Sequence, residues 1–350
     1  MKNILVTGGA GYIGSHTCLS LLEKNYNVFV VDSFINSSPK SLQMVLEIHK
    51  SNNQNYNNQL KVFKGDITDI KVLENYFLEL LKNNITIDGV IHFAGLKAVS
   101  ESVSNPLIYW NINLTTTFNL LYIIKKFGCN NLVFSSSATI YASNQNDLLT
   151  EDSEIRPANP YGNTKATIEK ILADVFKSST KELKFASLRY FNPIGAHSSG
   201  LIGEDPKGTP NNLFPLIINT AYGSQKELKI YGSNYPTHDG TPIRDYIHVM
   251  DLADAHIKVL EYMMISRGMN INLNIGTGIG TSVLDLVKTF ERVNNIKVPY
   301  VFADRRIGDS CYVVANNSLS INKLDITTPR DIEDMCLDGW RWKKLNPDGY

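Results

Sequence analysis

A glycine-rich turn close to the first residue constrains the possible fold more than any other feature of the chain. The segment Gly8-Gly9-Ala10-Gly11-Tyr12-Ile13-Gly14 follows a β-rich run, Asn3 to Thr7, and leads into a helical pattern from Ser15 to Leu22. Glycines at three-residue intervals permit a tight turn, a close approach of the backbone to a pyrophosphate, and close packing of helix on strand. The first amides of the helix would face the anion. The segment therefore predicts a dinucleotide-binding unit.

Short β-rich runs continue to alternate with helical patterns along the first half of the chain. This alternation predicts an α/β fold built on a Rossmann-type, doubly wound parallel sheet. The polar tract 51–59 holds too few apolar residues to pack, and it predicts a mobile surface loop. The further strands are expected at Val28 to Asp32, Lys61 to Lys64, Gly89 to Phe93, Leu132 to Ser136, and Lys184 to Leu188.

The pattern changes after Phe191, where prolines and glycines crowd into a segment that fits neither a long helix nor a central strand. This change predicts a smaller, mixed α/β C-terminal domain that binds the substrate. A strand-then-helix pattern from Tyr246 to Tyr262 indicates that the chain returns to the first sheet. The predicted units are 1–191, a Rossmann domain with a returning segment near 243–270, and 192–242 with 271–350, the substrate domain.

Composition excludes several classes of partner. Lysine plus arginine and aspartate plus glutamate both number 34, so no net charge is present to hold nucleic acid or an anionic membrane. No stretch approaches the roughly 18 apolar residues of a membrane span, and the glycines interrupt the only apolar run that could resemble a signal peptide. The four cysteines lie far apart, which favours reduced packing residues in a cytoplasmic protein and no metal site.

Three features at predicted strand ends point to the cofactor. Asp32 closes the second strand, where a carboxylate can accept hydrogen bonds from the adenosine ribose and repel a 2′-phosphate. Because no arginine follows it nearby, NAD is favoured over NADP. Gly65-Asp66-Ile67 and Phe93-Ala94-Gly95 follow the third and fourth strands, at the sheet edge that binds ligands in open α/β folds. Taken alone, each tripeptide could equally be an ordinary turn.

A serine, a tyrosine and a lysine provide candidate catalytic groups. Tyr161 and Lys165 are four residues apart and share a helix face. A tyrosine ionises near pH 10 in water, but a lysine ammonium and a positive nicotinamide ring close by would favour the phenolate. The fifth strand ends in three serines, of which Ser137 is the best placed to hold an alcohol oxygen and relay its proton. A tyrosine–lysine pair at this spacing is common by itself. The glycine turn, the aspartate that favours NAD and the serine at a strand end favour a catalytic role for this one.

With these residues in place, the chain resembles the extended short-chain dehydrogenase/reductase family over essentially its whole length, in the branch that epimerises UDP-hexoses. The more specific motifs are Thr7-Gly8-Gly9-Ala10-Gly11-Tyr12-Ile13-Gly14-Ser15-His16, Phe93-Ala94-Gly95-Leu96-Lys97-Ala98-Val99, Phe134-Ser135-Ser136-Ser137-Ala138-Thr139, Leu188-Arg189-Tyr190-Phe191-Asn192-Pro193-Ile194-Gly195-Ala196-His197, Asp239-Gly240-Thr241, Arg244-Asp245-Tyr246-Ile247-His248-Val249, Arg305-Arg306 and Gly308-Asp309.

The resemblance implies roles for matching positions, with Tyr161 as base, Lys165 lowering its pKa and binding the nicotinamide ribose, and Ser137 assisting. The cofactor positions that it implies are Gly8, Gly11, Tyr12, Ile13, Gly14, Asp32, Asn36, Ser37, Asp66, Ile67, Phe93, Ala94, Gly95, Lys97, Asn113, Ser137, Tyr161, Lys165 and Tyr190. The substrate positions are Ser137, Tyr161, Phe191, Asn192, Asn212, Leu213, Tyr231, Arg244, Arg306, Asp309 and Val313.

The implied reaction is the interconversion of UDP-glucose and UDP-galactose. The O4 proton leaves to Tyr161 while C4 is oxidised, the resulting 4-ketose turns about its link to the diphosphate, and C4 is reduced on the other face. NAD is regenerated in each turnover and stays bound. Firm UDP binding must therefore anchor a sugar that still rotates. The resemblance also implies a homodimer formed through helices of the cofactor domain, including the one that bears Tyr161.

Val313 supports a narrower hypothesis about substrate range. In the related enzymes the residue four after the aspartate of the Arg-Arg-x-Gly-Asp run limits the space beside the sugar, and a tyrosine there would exclude a 2-acetamido group. Valine should leave room, so UDP-N-acetylglucosamine and UDP-N-acetylgalactosamine are expected substrates as well. Alternatively, Val313 is simply a strand residue in the core.

Four other functions remain open from the sequence. A nucleotide-sugar 4,6-dehydratase would need an acid and a base beside the serine, but Ala138 and Thr139 follow Ser137. A UDP-glucuronate decarboxylase would need a cationic partner for the substrate carboxylate, which the sequence does not identify. An NAD(H)-sensing regulator would have no need of Ser137, Tyr161 and Lys165 together. An ordinary dehydrogenase would release its cofactor, whereas an epimerase would be purified with dinucleotide bound.

Overall fold

The structure, a computed structural model, describes residues 1–52, 59–142, 147–179, 182–208, 210, 212–306 and 308–350. Most of the polar tract that was predicted to form a loop, residues 53–58, lies outside the described residues. Of its flanks, Ser51 and Asn52 end a helix, and Gln59 is buried just before the third strand.

A seven-stranded sheet forms the larger half of the molecule. Its strand order is β10-β6-β5-β4-β1-β2-β3, and every neighbouring pair is parallel. This arrangement confirms the predicted Rossmann-type fold. The strands in the described residues are β1 (Asn3–Thr7), β2 (Asn27–Asp32), β3 (Leu60–Lys64), β4 (Gly89–His92), β5 (Asn131–Ser137), β6 (Lys184–Tyr190), β7 (Asn192–Ile194), β8 (Leu228–Tyr231), β9 (Ile243–His248), β10 (Met269–Ile275), β11 (Gly280–Ser282), β12 (Tyr300–Ala303) and β13 (Tyr312–Val313).

Helices cover both faces of this sheet, because its central strands are apolar on both sides and must be shielded from water. On one face, α1, α2 and α8 contribute side chains such as Leu19, Val45 and Val259 to a fully buried cluster. On the other, α3, α5 and α6 do the same with their own apolar stripes. The helices are α1 (Tyr12–Glu23), α2 (Pro39–Asn52), α3 (Ile70–Lys82), α4 (Val99–Ser104), α5 (Pro106–Lys126), α6 (Pro160–Ser178), α7 (Leu213–Tyr222), α8 (Val249–Ile265), α9 (Val283–Asn294), α10 (Ser318–Leu324) and α11 (Ile332–Leu345).

The smaller half is a mixed α/β unit. One sheet has the order β11-β9-β13, with β7 also paired to β9, and a second pairs β12 with β8. Its core joins side chains of α7, α9 and α11, including Phe214, Phe290 and Trp340. This unit agrees with the predicted mixed substrate domain in kind, whereas its predicted bounds remain a prediction.

The segment that was expected to return to the large sheet divides between the two halves. Its strand, β9, belongs to the smaller sheet, where it pairs with β7 and β11. The chain returns to the larger half at α8, which packs on α1 and contributes Leu252, Ala255 and Val259 to their shared buried cluster. It then adds β10 to the large sheet beside β6. Among the described residues, none of the helices is long and apolar enough to cross a membrane.

Candidate active site

The glycine turn is compact because its backbone atoms lie against one another and against the loop after β4. Gly8 has a φ of +70°, and its amide donates to the Val31 carbonyl at 2.9 Å. A methyl group on Gly8 would lie 2.7 Å from the Ala94 amide nitrogen, and one on Gly14 would overlap the Gly8 carbonyl oxygen. Helix α1 then begins at Tyr12 without a side-chain cap. Its first-turn amides have no partner within the helix and can bind an anion.

Asp32 joins the glycine turn to the loop after β2. Its Oδ2 accepts a hydrogen bond from the Ala10 amide at 2.9 Å, and its Oδ1 accepts from the Phe34 amide at 2.9 Å and from Ser37 Oγ at 2.8 Å. The carboxylate is 7% exposed, and Asn36 beside it is exposed. A carboxylate offers about four acceptor positions, so Asp32 can still accept from a ligand hydroxyl.

The loop after β3 presents Asp66 to solvent and buries Ile67. Asp66 Oδ1 accepts hydrogen bonds from the Thr68 amide at 2.9 Å and from its hydroxyl at 2.8 Å. Asn119 of α5 holds the loop by donating to the carbonyls of Ile67 and Thr68, at 2.9 and 2.8 Å. These bonds fix the position of the Asp66 side chain at the sheet edge.

The loop after β4 is held by Asn113 of α5, which is 2% exposed. Asn113 Oδ1 accepts from the Leu96 amide at 2.7 Å, and its Nδ2 donates to Thr164 Oγ1 of α6 at 3.0 Å. Asn113 therefore positions the loop against α6. Lys97, in the same loop, forms an ion pair with Glu204 of the smaller half, with 3.2 Å between Nζ and Oε1.

The three candidate catalytic residues come together where β5 ends and α6 begins. Asn159 caps α6 by accepting from the Gly162 amide at 2.8 Å, which places Tyr161 and Lys165 on its first turns. Ser137 Oγ accepts from the amide of Thr139 at 3.2 Å and from its hydroxyl at 3.0 Å. Ser137 is also close enough to the Tyr161 hydroxyl to lower the pKa of that phenol. Because Thr139 supplies both donors to Ser137, the serine hydroxyl proton remains free to be donated.

Burial dominates the ionisation of this site. Lys165 Nζ donates to the Ser135 carbonyl at 2.7 Å and lies 4.8 Å from the centre of the Phe134 ring and 5.7 Å from that of Tyr161. Burial lowers the pKa of Lys165 to about 7. Burial also raises the pKa of Tyr161 to about 12, against the opposing effect of the Ser137 hydroxyl. Both neutral forms are therefore favoured, since a low-dielectric site disfavours either charge.

A buried polar network that the sequence analysis missed fixes α6 to the sheet. Glu169 accepts from Arg189 of β6 through Nε at 3.1 Å and Nη2 at 2.7 Å, and from Ser136 Oγ at 2.5 Å. Arg189 Nη1 also donates to Tyr141 Oη at 2.9 Å. The arginine is 1% exposed, so the pair is removed from water. The sequence spacing could have indicated Glu169, because it lies four residues after Lys165 and so on the same helix face.

Tyr190 is oriented by a second residue that the sequence analysis missed, His256 of α8. Tyr190 Oη lies 2.5 Å from His256 Nε2, while His256 Nδ1 lies 2.7 Å from the Leu252 carbonyl. Burial lowers the pKa of His256 to about 4, so the ring is neutral at pH 7. Nδ1 then carries the proton for the carbonyl, and Nε2 accepts from the tyrosine. The Phe93 ring lies against the same imidazole, 4.9 Å between centres.

The predicted UDP-binding residues line the smaller half. Arg244 of β9 forms an ion pair with Asp309 and donates to the Ile243 carbonyl at 2.8 Å. The Arg306 guanidinium lies 4.1 Å from the centre of the Tyr231 ring. Guanidinium groups match phosphate geometry, and a ring face can stack on a base. The smaller half therefore offers guanidinium groups that suit a phosphate and an aromatic ring that suits a base.

Three further predicted residues lie in the smaller half. Asn212 precedes α7, and its Nδ2 donates to Glu204 Oε1 at 3.3 Å. Leu213 is the first residue of α7 and packs on the core of the smaller half. Asn192 lies in β7, paired with Tyr246 of β9.

Val313 lies between the candidate UDP-binding residues and the candidate catalytic residues. It is paired with Arg244 in the sheet, and its side chain packs on a buried cluster that includes Phe191. Ala138 and Ala166 pack on the same cluster, and they neighbour Ser137 in sequence and Lys165 on α6. The cluster around Phe191 is therefore in contact with Val313, the strand partner of Arg244, and with the neighbours of the candidate catalytic residues Ser137 and Lys165.

Comparison with known proteins gives a consistent result. The model of the NAD dependent epimerase/dehydratase family matches residues 4–276. A UDP-glucose 4-epimerase of Pasteurella multocida is 49% identical over 348 residues, covering 99% of each chain. A UDP-glucose 4-epimerase of Stenotrophomonas maltophila with bound NAD and formylated UDP-arabinopyranose superposes with a TM-score of 0.93 at 40% identity, covering 99% of each chain. One from Bifidobacterium longum in complex with NAD⁺ and UDP gives 0.92 at 41% identity, covering 100% of each.

Proposed function

The chain belongs to the NAD dependent epimerase/dehydratase family, and on that premise we propose that it interconverts UDP-glucose and UDP-galactose by inverting C4 through a transient 4-ketose, as an enzyme of galactose metabolism. The single observation that carries the proposal is the grouping of Ser137, Tyr161 and Lys165 where β5 ends and α6 begins, at the carboxyl edge of the sheet. This edge is where open α/β sheets bind dinucleotides.

The residues at this edge fit NAD. The glycine turn leaves no room for a side chain between α1 and the loop after β4, so a pyrophosphate can approach the uncapped amides. Asp32, beside the turn, retains acceptor capacity for ribose hydroxyls and would repel a 2′-phosphate. When bound, NAD supplies a reversible hydride acceptor.

The chain itself supplies proton transfer and positioning. Tyr161 is placed to take the proton of the sugar O4 hydroxyl as C4 is oxidised, and to return it when C4 is reduced. Ser137 lowers the pKa of the same phenol, which favours its ionised form. Lys165, with a pKa that burial lowers to about 7, can hold or release a proton near neutral pH and adds positive charge when it holds one.

The smaller half is proposed to anchor UDP. Arg244 and Arg306 provide cations for the diphosphate, while Tyr231 provides a ring face for uracil. Asp309 already pairs with Arg244, so its second oxygen remains for ribose. Anchoring at the nucleotide leaves the sugar free to turn beside Ser137, as inversion requires.

The proposed activity is tested by incubating the purified protein with UDP-galactose, without added cofactor, and resolving UDP-glucose by chromatography. We expect an equilibrium mixture of the two sugars. No product, even with NAD supplied, would overturn the assignment. UDP-glucuronate and 4,6-dehydratase substrates, run in parallel, would then identify the alternative reaction.

N-acetylated sugars are proposed as additional substrates. The Val313 side chain packs on the cluster that includes Phe191, where a short side chain leaves more space than an aromatic one. We expect UDP-N-acetylglucosamine to be epimerised by the wild-type enzyme and Val313→Tyr to lose that activity while keeping UDP-galactose turnover. Turnover of UDP-galactose alone by the wild type would contradict the proposal.

A homodimer is proposed from an exposed apolar stripe on α5. Leu107, Phe118 and Tyr122 lie on one side of the helix and are 80%, 51% and 57% exposed. A stripe of this kind is typical of a helix that packs on a partner. Light scattering should give twice the chain mass, and Phe118→Glu should reduce it to one. A monomeric wild type would refute the dimer.

A cytoplasmic location is proposed from the cysteines. All four are free thiols, and Cys18, Cys129 and Cys336 are buried. Free thiols suit a reducing compartment. Fractionation of cells that express the native chain should find it with cytosolic markers, and recovery in another compartment would contradict the proposal.

A further inference from the structure

One segment of the smaller half, residues 195–208, joins three loops of the larger half, and we call it the strap. The three loops follow β1, β2 and β4, and each lies at the carboxyl edge of the sheet. Each is joined to the strap by a hydrogen bond or an ion pair. These are Tyr12 Oη to the Gly195 carbonyl (2.7 Å), Lys207 Nζ to the carbonyls of Phe34 (2.7 Å) and Ile35 (3.1 Å), and Lys97 Nζ to Glu204 Oε1 (3.2 Å).

These anchor points mark out the dinucleotide site. Tyr12 opens α1 directly after the glycine turn, and the carbonyls that Lys207 contacts follow Asp32 by two and three residues. A dinucleotide bound by the glycine turn and Asp32 would therefore lie between the strap and the sheet edge. The strap also inserts Ile202, which is fully buried in the core of the larger half.

The other side of the strap is held by α11 and the residues after it, 346–350, which we call the tail. Arg341 Nη1 donates to the Ser198 carbonyl at 2.7 Å, and Asn346 Nδ2 donates to the Gly200 carbonyl at 2.8 Å. The strap is thus bonded on one side to the cofactor domain and on the other to the C-terminal helix.

Tyr350 makes the most contacts from the tail. Its hydroxyl accepts from the Gly203 amide at 3.0 Å and donates to the Gly203 carbonyl at 3.3 Å, while its own amide donates to Asp205 Oδ2 at 3.0 Å. Its ring packs on Trp342, 4.7 Å between centres. Burial raises the pKa of this hydroxyl, so it remains protonated and able to donate. Burial, and after it the neighbouring Glu204 and Tyr350, raise the pKa of Tyr12.

We propose that Tyr350 latches the strap over the dinucleotide site and that the latched strap keeps NAD from dissociating between turnovers. The inference rests on the proposed function, in which NAD is regenerated within each turnover and has no need to leave. Opening the strap requires breaking contacts at both its sides. Tyr350 acts through its contacts with the strap and is therefore a positioning residue for the cofactor.

The test measures release of bound dinucleotide. Tyr350→Phe removes both hydroxyl contacts with Gly203 and keeps the ring on Trp342, whereas Lys207→Met removes the anchor at the opposite end. Tyr222→Phe, on a half-exposed tyrosine of α7, is the matched control. The holoenzymes are mixed with excess isotopically labelled NAD, and exchange into the protein is followed with time. Amide hydrogen exchange across 195–208 is measured on the same samples.

We expect each strap variant to exchange NAD about tenfold faster, equivalent to about 1.4 kcal/mol, with faster hydrogen exchange confined to the strap and tail. The control should match the wild type. Wild-type release rates in both variants, or faster release with unchanged strap amides, would overturn the latch alone. A wild-type protein that holds no dinucleotide would overturn the proposed function, and the latch with it.

Discussion

Replacing Lys165 with methionine is expected to stabilise the dinucleotide-free fold at neutral pH while abolishing catalysis. Burial lowers the pKa of this lysine to about 7, from 10.5 in an unfolded chain. At pH 6 the group is charged in both states, so the folded state bears the full penalty of burying an ammonium. A difference of about 3.5 pH units corresponds to about 5 kcal/mol.

The sign of the pH dependence follows from proton binding. Between pH 7 and 10.5 the unfolded chain holds a proton at Lys165 that the folded protein has released, so the stability of the wild type rises with pH across this window. Methionine loses the hydrogen bond to the Ser135 carbonyl, which contributes about 2 kcal/mol once the buried acceptor is left unpaired. The variant should be about 3 kcal/mol more stable at pH 6, equal near pH 9, and less stable above it.

Urea unfolding of protein stripped of dinucleotide, at fixed protein concentration from pH 6 to 10, measures this difference. Lys170→Met is the matched control, because Lys170 is exposed on the same helix. Its replacement should change the free energy of unfolding by the same small amount at every pH. A Lys165→Met variant less stable than the wild type at pH 6 would refute the reasoning. It would mean that the ammonium is well solvated or paired in the fold.

Three further substitutions test other parts of the structure. Arg189→Met should lower the free energy of unfolding by about 3–5 kcal/mol, because it leaves the buried Glu169 carboxylate unpaired. The control Arg156→Met, in an exposed ion pair, should change the free energy of unfolding by at most about 1 kcal/mol. Equal effects of the two substitutions would contradict the role of the buried pair. Thr139→Val should lower kcat about five- to tenfold with little change in KM, since Ser137 loses one of its two donors; an unchanged kcat would show that Thr139 does not position it. Gly14→Ala should fold, by circular dichroism, yet be purified without dinucleotide, and normal NAD content would count against the tight turn.

The parts of the fold that depend on local patterns could be predicted from the sequence. The six expected strands of the large sheet all formed, with ends within two residues of those predicted, because continuous apolar β-rich runs have few other ways to be buried. The glycine turn formed where the spacing indicated. The sheet to which the strand before α8 belongs could not be predicted, since its apolar pattern suits either sheet. The pairing of β9 with β7 and β11 places it in the smaller one.

The support around the site could not be predicted, because it depends on contacts between distant residues. Glu169 and Arg189 are 20 residues apart and read separately as surface charges. His256 and Tyr190 are 66 apart, and nothing local links them. The contact of Tyr350 with Gly203 spans 147 residues. In each case the polar group is recognised as functional only once the fold has buried it beside its partner.

The central claim is that Tyr161 and the residues around it invert C4 of a UDP-hexose by oxidation and reduction at that same carbon. The most direct test supplies UDP-galactose carrying deuterium at C4 to the protein as purified, without added cofactor, beside a Tyr161→Phe variant. We expect UDP-glucose that retains the deuterium at C4, formed by the wild type and at least a hundredfold more slowly by the variant, about the contribution of a positioned proton-transfer group. Loss of the deuterium to water, or a variant as fast as the wild type, would contradict the account.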